Sequence, residues 1–241
     1  MPWDFWLIFL FLGVAVPWRG RVRLQRLLAK PIVSTKEKLV LYGSTIVFQW
    51  LLVGLVGWRA LARGLNAAEL GLARSFSARL LLLSAVGAVF LAGFQSMNLR
   101  RVGRMSGPVP EFMRKLADRV LPKSAVELGP YCALAVTAGV CEEFLYRGFA
   151  MAALRRMGLA TWVVVIVTSV LFGLAHTYQG RGGVVGTGVL GLVFGSTRAI
   201  VHSLTPVAVW HAVIDIVAGI AGPRFLAVRA PQDKTKAVDS I

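Results

Sequence analysis

Hydrophobic residues along this chain fall into long unbroken runs, not into alternation or narrow helical stripes. Leu39 to Trp58 and Leu80 to Leu99 contain no charged residue, and each is about 20 residues long, the length of helix that crosses a hydrocarbon core of about 30 Å. A barrel strand would show about ten residues with every second one apolar, and a backbone in lipid must satisfy its own hydrogen bonds. Runs of this length therefore predict helices. A third run lies between Arg156 and Arg181 and contains His176, and a fourth, Ile200 to Gly222, carries His202, His211 and Asp215. A fifth begins near Leu128 and stays apolar through Cys141, where it meets Glu142, Glu143 and Arg147 ahead of the basic pair Arg155 and Arg156. Gly182 to Thr197 and Phe5 to Trp18 are shorter runs with the same character. The pattern predicts an all-α fold, a polytopic transmembrane helical bundle of about seven spans, six to eight by length.

Composition agrees with a chain solvated by lipid. Of 241 residues, 56% are hydrophobic and 16% charged, and the mean hydropathy is +0.69, too apolar for a soluble domain. The organisation predicted is 1–125 as amino-terminal spans with basic loops, 126–222 as a membrane domain carrying the polar residues, and 223–241 as a basic tail. No repeat of 20 to 50 residues is evident. Gly188, Gly191 and Gly195 are spaced for close helix approach, a packing role. Cys132 and Cys141 read as small residues of one apolar span without a disulfide.

The net charge of +16 sits in short loops that flank spans, so anionic lipid at the basic loops is the expected partner and nucleic acid is not. Arg19, Arg21, Arg23, Arg26, Lys30, Lys36 and Lys38 fill one loop, and Arg100, Arg101, Arg104, Arg114, Lys115, Arg119 and Lys123 another. The positive-inside rule makes both cytoplasmic. Seven spans then place the amino terminus outside and the carboxyl terminus in the cytoplasm. The segment from Arg59 to Arg79 runs against this, since it should lie outside yet holds four arginines. Asp4 stands where a signal peptide would be basic, so the first span is expected to remain as an anchor.

Ionisable groups inside a membrane cost at least about 2.5–3.5 kcal/mol at mid-depth, so each is a candidate for function. Glu142 and Glu143 are adjacent and point about 100° apart on a helix, which predicts that they do not serve one site. Glu143 and Arg147 have the four-residue spacing of a self-neutralising pair, which leaves Glu142 without a local partner and suited to act as a general base. Phe172 and His176 share a helical face, as do His211 and Asp215. Two histidines and a carboxylate doublet on three spans point to one polar site. His202 belongs to a span edge instead. The predicted boundaries leave Glu142 toward the outer half of its span and His176 toward the inner end of the next.

Three motifs, Glu-Glu-x-x-x-Arg at 142–147, Phe-x-x-x-His at 172–176 and His-x-x-x-Asp at 211–215, together resemble the CAAX prenyl protease type 2 family, which includes bacterial Abi and bacteriocin-processing proteins. The resemblance covers roughly the last 100 residues before the tail. It implies an intramembrane peptidase in which Glu142 activates a water, His176 helps to hold it and His211 stabilises the oxyanion. Glu143, Arg147 and Phe172 would support them. Asp215 stands where the family accepts Asn or Asp. An ionised carboxylate cannot donate to an oxyanion, so Asp215 is expected to orient His211 or to keep a proton. A metal-free glutamate mechanism fits these residues. Glu142, His176 and His211 are also an acceptable zinc set, so a metalloprotease reading stays open beside a metal-free one. The substrate expected is a membrane-associated peptide or protein, such as a leader or carboxyl-terminal peptide, and the composition suggests a bacterial inner membrane. A non-catalytic immunity or scaffold protein is the alternative. A proton-coupled transporter is disfavoured by the lack of an internal repeat.

Overall fold

In the computed structural model, which describes residues 2–72 and 77–226 and leaves aside the side chains of 108–110, every regular element among the described residues is helical. Six helices are long and apolar enough to cross a membrane. These are α1 (Trp3–Leu28), α2 (Thr35–Ala62), α3 (Ala78–Arg104), α5 (Ala125–Arg156), α7 (Thr177–Val201) and α8 (Thr205–Phe225). Between them lie the amphipathic α4 (Pro108–Val120) and the short apolar α6 (Thr161–Ala175). The chain is an integral membrane, all-α polytopic protein. Arg74, one of the four arginines between residues 59 and 79, and Arg229, Lys234 and Lys236 of the basic tail lie outside the described residues.

Local chemistry marks several helix starts. Ser34 and Glu37 form a reciprocal capping box on α2, and the Ser77 and Ser124 hydroxyls accept from backbone N–H groups of Leu80 and Glu127 to cap α3 and α5. Each satisfies donors that the first helical turn would leave unpaired. The chief packing partners run α3 against α8, α8 against α5 and α5 against α2, while α6 pairs with α7. Outward faces are apolar: Trp6, Leu51, Phe90, Trp162 and Val185 are all exposed, as a lipid solvent requires.

The glycine run packs as expected. A Cβ on Gly191 or Gly195 would stand 3.1 Å from Ser169 or Val165, and one on Gly173 would stand 2.8 Å from the Val184 carbonyl, so α6 and α7 touch through backbone.

The basic residues expected in two loops are mostly helical: Arg19 to Arg26 lie on α1, Lys36 and Lys38 on α2, Arg100 to Arg104 on α3 and Arg114 to Arg119 on α4, because these helices run past their apolar stretches. The two groups meet at one end of the bundle. Lys38 at the start of α2 is buried and donates to Glu127 (3.2 Å) and to the Leu121 carbonyl (2.6 Å), while Arg100 stacks over Phe225 at the end of α8. The opposite end holds the arginines that conflict with a simple charge count. Asp4, buried, binds Arg59 (2.5 Å) and Arg63 (3.1 Å), which offsets two of them. At the same end Arg156 makes a two-pronged bond to Glu69, 2.7 Å on each oxygen, which holds that carboxyl below the usual carboxylate range. Cys132 and Cys141 lie on α5, the first half-buried and the second buried.

Candidate active site

α5 does not stop at its carboxylates. It continues for 32 residues through Glu142 and Glu143 to Arg156, and Phe144–Ala150 is wound as a π-helical segment. α6 ends where His176 begins. Glu142 therefore lies about 14 residues before the turn that joins the two helices, and His176 about 15 after it, a climb of roughly 21–23 Å in each case at 1.5 Å per residue. The apparent mismatch in depth disappears because the first helix is longer, and the second shorter, than the apolar runs imply. His211 enters the same level from α8, in its second turn after Thr205.

These residues meet. Oε2 of Glu142 stands 3.8 Å from Nε2 of His176 and 3.9 Å from Nε2 of His211. The other oxygen of Glu142 accepts a 2.8 Å bond from the Gln49 amide on α2. His176 turns Nδ1 to the Phe172 carbonyl at 2.8 Å. A carbonyl only accepts, so Nδ1 carries the proton and a neutral ring presents an Nε2 lone pair to Glu142. His211 turns Nδ1 to Glu143 Oε1 at 2.8 Å, which likewise points Nε2 at Glu142. The same Glu143 oxygen accepts from Arg147 at 2.9 Å. Glu143 and Arg147 are both fully buried, with the guanidinium 4.1 Å from the centre of the Phe172 ring. Phe172 packs edge-on to His211 and against His176, with ring centres 5.7 and 4.6 Å apart.

Two expectations need correction. Glu142 and Glu143 do serve one site, because the imidazole of His211 lies between them and offers a different nitrogen to each. Asp215 does not hold His211 by a hydrogen bond: its Oδ2 is 3.7 Å from Nε2, and Glu143 takes the ring's Nδ1. The Asp215 side chain is 37% exposed, while its backbone carbonyl accepts from the Tyr131 hydroxyl at 3.1 Å. His202 is exposed, in left-handed backbone at φ 57° between α7 and α8, away from the site as expected.

Residues 125–217 match the family model of the Rce1-like type II CAAX prenyl endopeptidases. The match contains Glu142, Glu143, Arg147, Phe172, His176, His211 and Asp215, and it is the family that the three motifs resemble. That family is one of proteases, and it supports a CAAX-type intramembrane endopeptidase in general terms. No curated protein and no solved structure matches the chain.

Gln49 lies outside the Rce1-like segment and was not singled out by sequence reasoning, although a lone amide in an uncharged membrane run was a usable signal. A cavity of about 230 Å³ opens beside it, lined from α1, α2, α4, α5 and the α6–α7 junction. Glu142, His176, Tyr146 and Gln49 line it together with Leu24, Phe48, Leu116 and Val120. Arg19, 4.1 Å over the Phe48 ring, and Arg23, which donates to Ser44 and Thr45, line it as well.

The donor types suit zinc, but the spacing is wide. Ligand atoms on one tetrahedral ion with bonds of about 2.0–2.1 Å lie roughly 3.3 Å apart, against 3.8 and 3.9 Å here. Among the described residues no three His, Cys, Asp or Glu side chains are arranged to hold a metal ion.

Proposed function

We propose that the protein is an intramembrane endopeptidase of the Rce1-like kind that hydrolyses a membrane-associated peptide or protein, with Glu142 as the general base. The observation that carries this reading is the convergence of Glu142 Oε2 with both histidine Nε2 atoms, at 3.8 and 3.9 Å, beside a cavity that Glu142 and His176 line. A water about 2.8 Å from each partner spans such a gap. It would donate one O–H to Glu142 and the other to the Nε2 lone pair of His176, which aims its oxygen lone pair into the cavity. Glu142 then takes the proton as the water oxygen bonds to the peptide carbonyl carbon. The carbonyl oxygen becomes the oxyanion. With Glu143 on Nδ1, the His211 ring can hold a proton on each nitrogen, and Nε2–H donates to that oxyanion. Collapse breaks the C–N bond, and the proton on Glu142 passes to the leaving amine. Arg147 fixes Glu143, and Phe172 fixes both rings. Asp215 borders the site, its Oδ2 3.7 Å from His211 Nε2, without orienting the ring. No step is routed through a metal.

The cavity walls are apolar, so the reading favours a substrate that reaches the site with an apolar side chain or segment alongside the bond to be cut. The basic end is proposed to face the cytoplasm, with anionic lipid against its arginines and lysines.

The test is cleavage of a membrane-tethered peptide library by the purified protein in lipid, parent against Glu142→Gln at equal folded yield. The reading expects cleavage by the parent and a loss of at least about 100-fold in the variant. Inert parent protein, or equal rates, would replace it with a non-catalytic immunity or scaffold role.

A further inference from the structure

The Gln49 carboxamide has two ends and only one is in use. Its Nε2 donates to Glu142 Oε1 at 2.8 Å, and because a carboxylate only accepts, this contact fixes which way the amide points. Its Oε1 therefore faces away from Glu142. That oxygen is buried and has no hydrogen-bond partner within the chain, although Gln49 lines the cavity. A buried amide oxygen without a donor costs about 1–3 kcal/mol, and such an atom beside a general base and a cavity is suited to a donor that arrives with a ligand. Peptide backbone supplies one N–H per residue.

We propose that Gln49 bridges base and substrate: its amide nitrogen holds Glu142 so that Oε2 faces the two histidines, and its amide oxygen accepts a backbone N–H of the peptide being cut. The first half makes Gln49 a positioning residue. The second makes it a substrate-binding residue contributed by α2, outside the Rce1-like segment. Both depend on α2 packing against α5, which the neighbouring Leu52, partly buried against the main core, supports. The second half rests on the peptidase reading of the same site, and the first does not.

Gln49→Met keeps the length of the side chain and removes both polar ends, and Gln49→Leu serves if the first variant melts early. With a peptide that the parent cleaves, kcat/KM is expected to fall about 10- to 100-fold, mostly in kcat, as for a base displaced by a fraction of an ångström. The same peptide is then made with one backbone N–H at a time replaced by an ester oxygen. One position near the cleaved bond should slow the parent by about tenfold and leave the Gln49→Met protein unaffected. That non-additivity marks a direct partner. Equal slowing of both proteins at every position overturns the acceptor half. The donor half is read separately by infrared spectroscopy in lipid. The carboxyl band that disappears in Glu142→Gln should be displaced in Gln49→Met, and an unmoved band overturns that half whether or not any peptide is cut. A parent that cleaves nothing overturns the peptidase reading and the acceptor half together, while the infrared comparison still decides the donor half.

Discussion

Neighbouring carboxylates on a helix diverge by about 100°, and His211 reconciles them by placing an imidazole in the angle. Its two nitrogens face Glu143 at 2.8 Å and Glu142 at 3.9 Å, so one side chain is both anchored and presented. The two acids then differ in what they do for the fold. Glu143 is fully buried and shared by Arg147 and His211, whereas Glu142 is 21% exposed to the cavity and, among the described residues, is paired with no Arg or Lys. Glu143→Gln strands a buried guanidinium and is expected to cost about 3–5 kcal/mol of stability, as broken buried pairs do. Glu142→Gln is expected to stay within about 1 kcal/mol of the parent. Unfolding of both variants in the same lipid or detergent measures this, and equal losses would place Glu142 in the structural framework. At this scale the sequence was informative where a motif repeats a helical spacing: Glu143 with Arg147 is four residues apart and bonded at 2.9 Å. It was silent on Gln49, since pairing across 93 positions of chain leaves no local pattern, and it misassigned the partner of His211, since spacing by four favours Asp215 over a residue 68 positions away.

At the scale of elements, the site depends on how closely α5 and α8 approach. A Cβ on Gly139 would meet the Ala208 carbonyl at 2.6 Å and the Ala212 nitrogen at 2.8 Å. Those atoms are backbone and cannot move aside without the helix. Gly139→Val should therefore lower both stability and activity, because His211 lies between the two contact residues on α8. Gly93→Val, on α3 where no atom lies within 4 Å of the added carbon, should do neither. Melting temperature and cleavage rate measured on both variants decide it, and a harmless Gly139→Val would contradict the close approach. The length of α5 was the element least legible beforehand. Apolar run length marks where lipid is met, and α5 turns inward after Cys141: Glu143 through Leu154 are all buried, charged residues included. Hydropathy registers that stretch as an end, although the helix continues through it, and the π-helical winding of Phe144–Ala150 has no compositional mark. The other five long helices, by contrast, were visible because lipid demands apolar surface along their length.

For the molecule as a whole, charge placement and packing agree on the two ends. One end collects the basic residues around Lys38, Glu127 and Arg100, and the other joins Asp4 to Arg59 and Arg63, and Glu69 to Arg156. With the basic end in the cytoplasm, an impermeant thiol label should reach Asn66→Cys from outside intact cells and reach Lys30→Cys only after permeabilisation, both in a background lacking Cys132. The reverse pattern would invert the orientation. The molecule's central property is that three helices, otherwise separated by lipid-length runs, bring one carboxylate and two imidazoles to one depth beside a cavity. If they act as a unit, their losses cannot add. The most direct measurement is the cleavage rate of one peptide by the parent, Glu142→Gln, His176→Ala and the double variant, at equal folded concentration in lipid. We predict that each single change costs at least about 100-fold and that the double variant is no slower than the slower single. Multiplying losses, or a Glu142→Gln protein that still cuts at the parent's rate, would contradict a shared site.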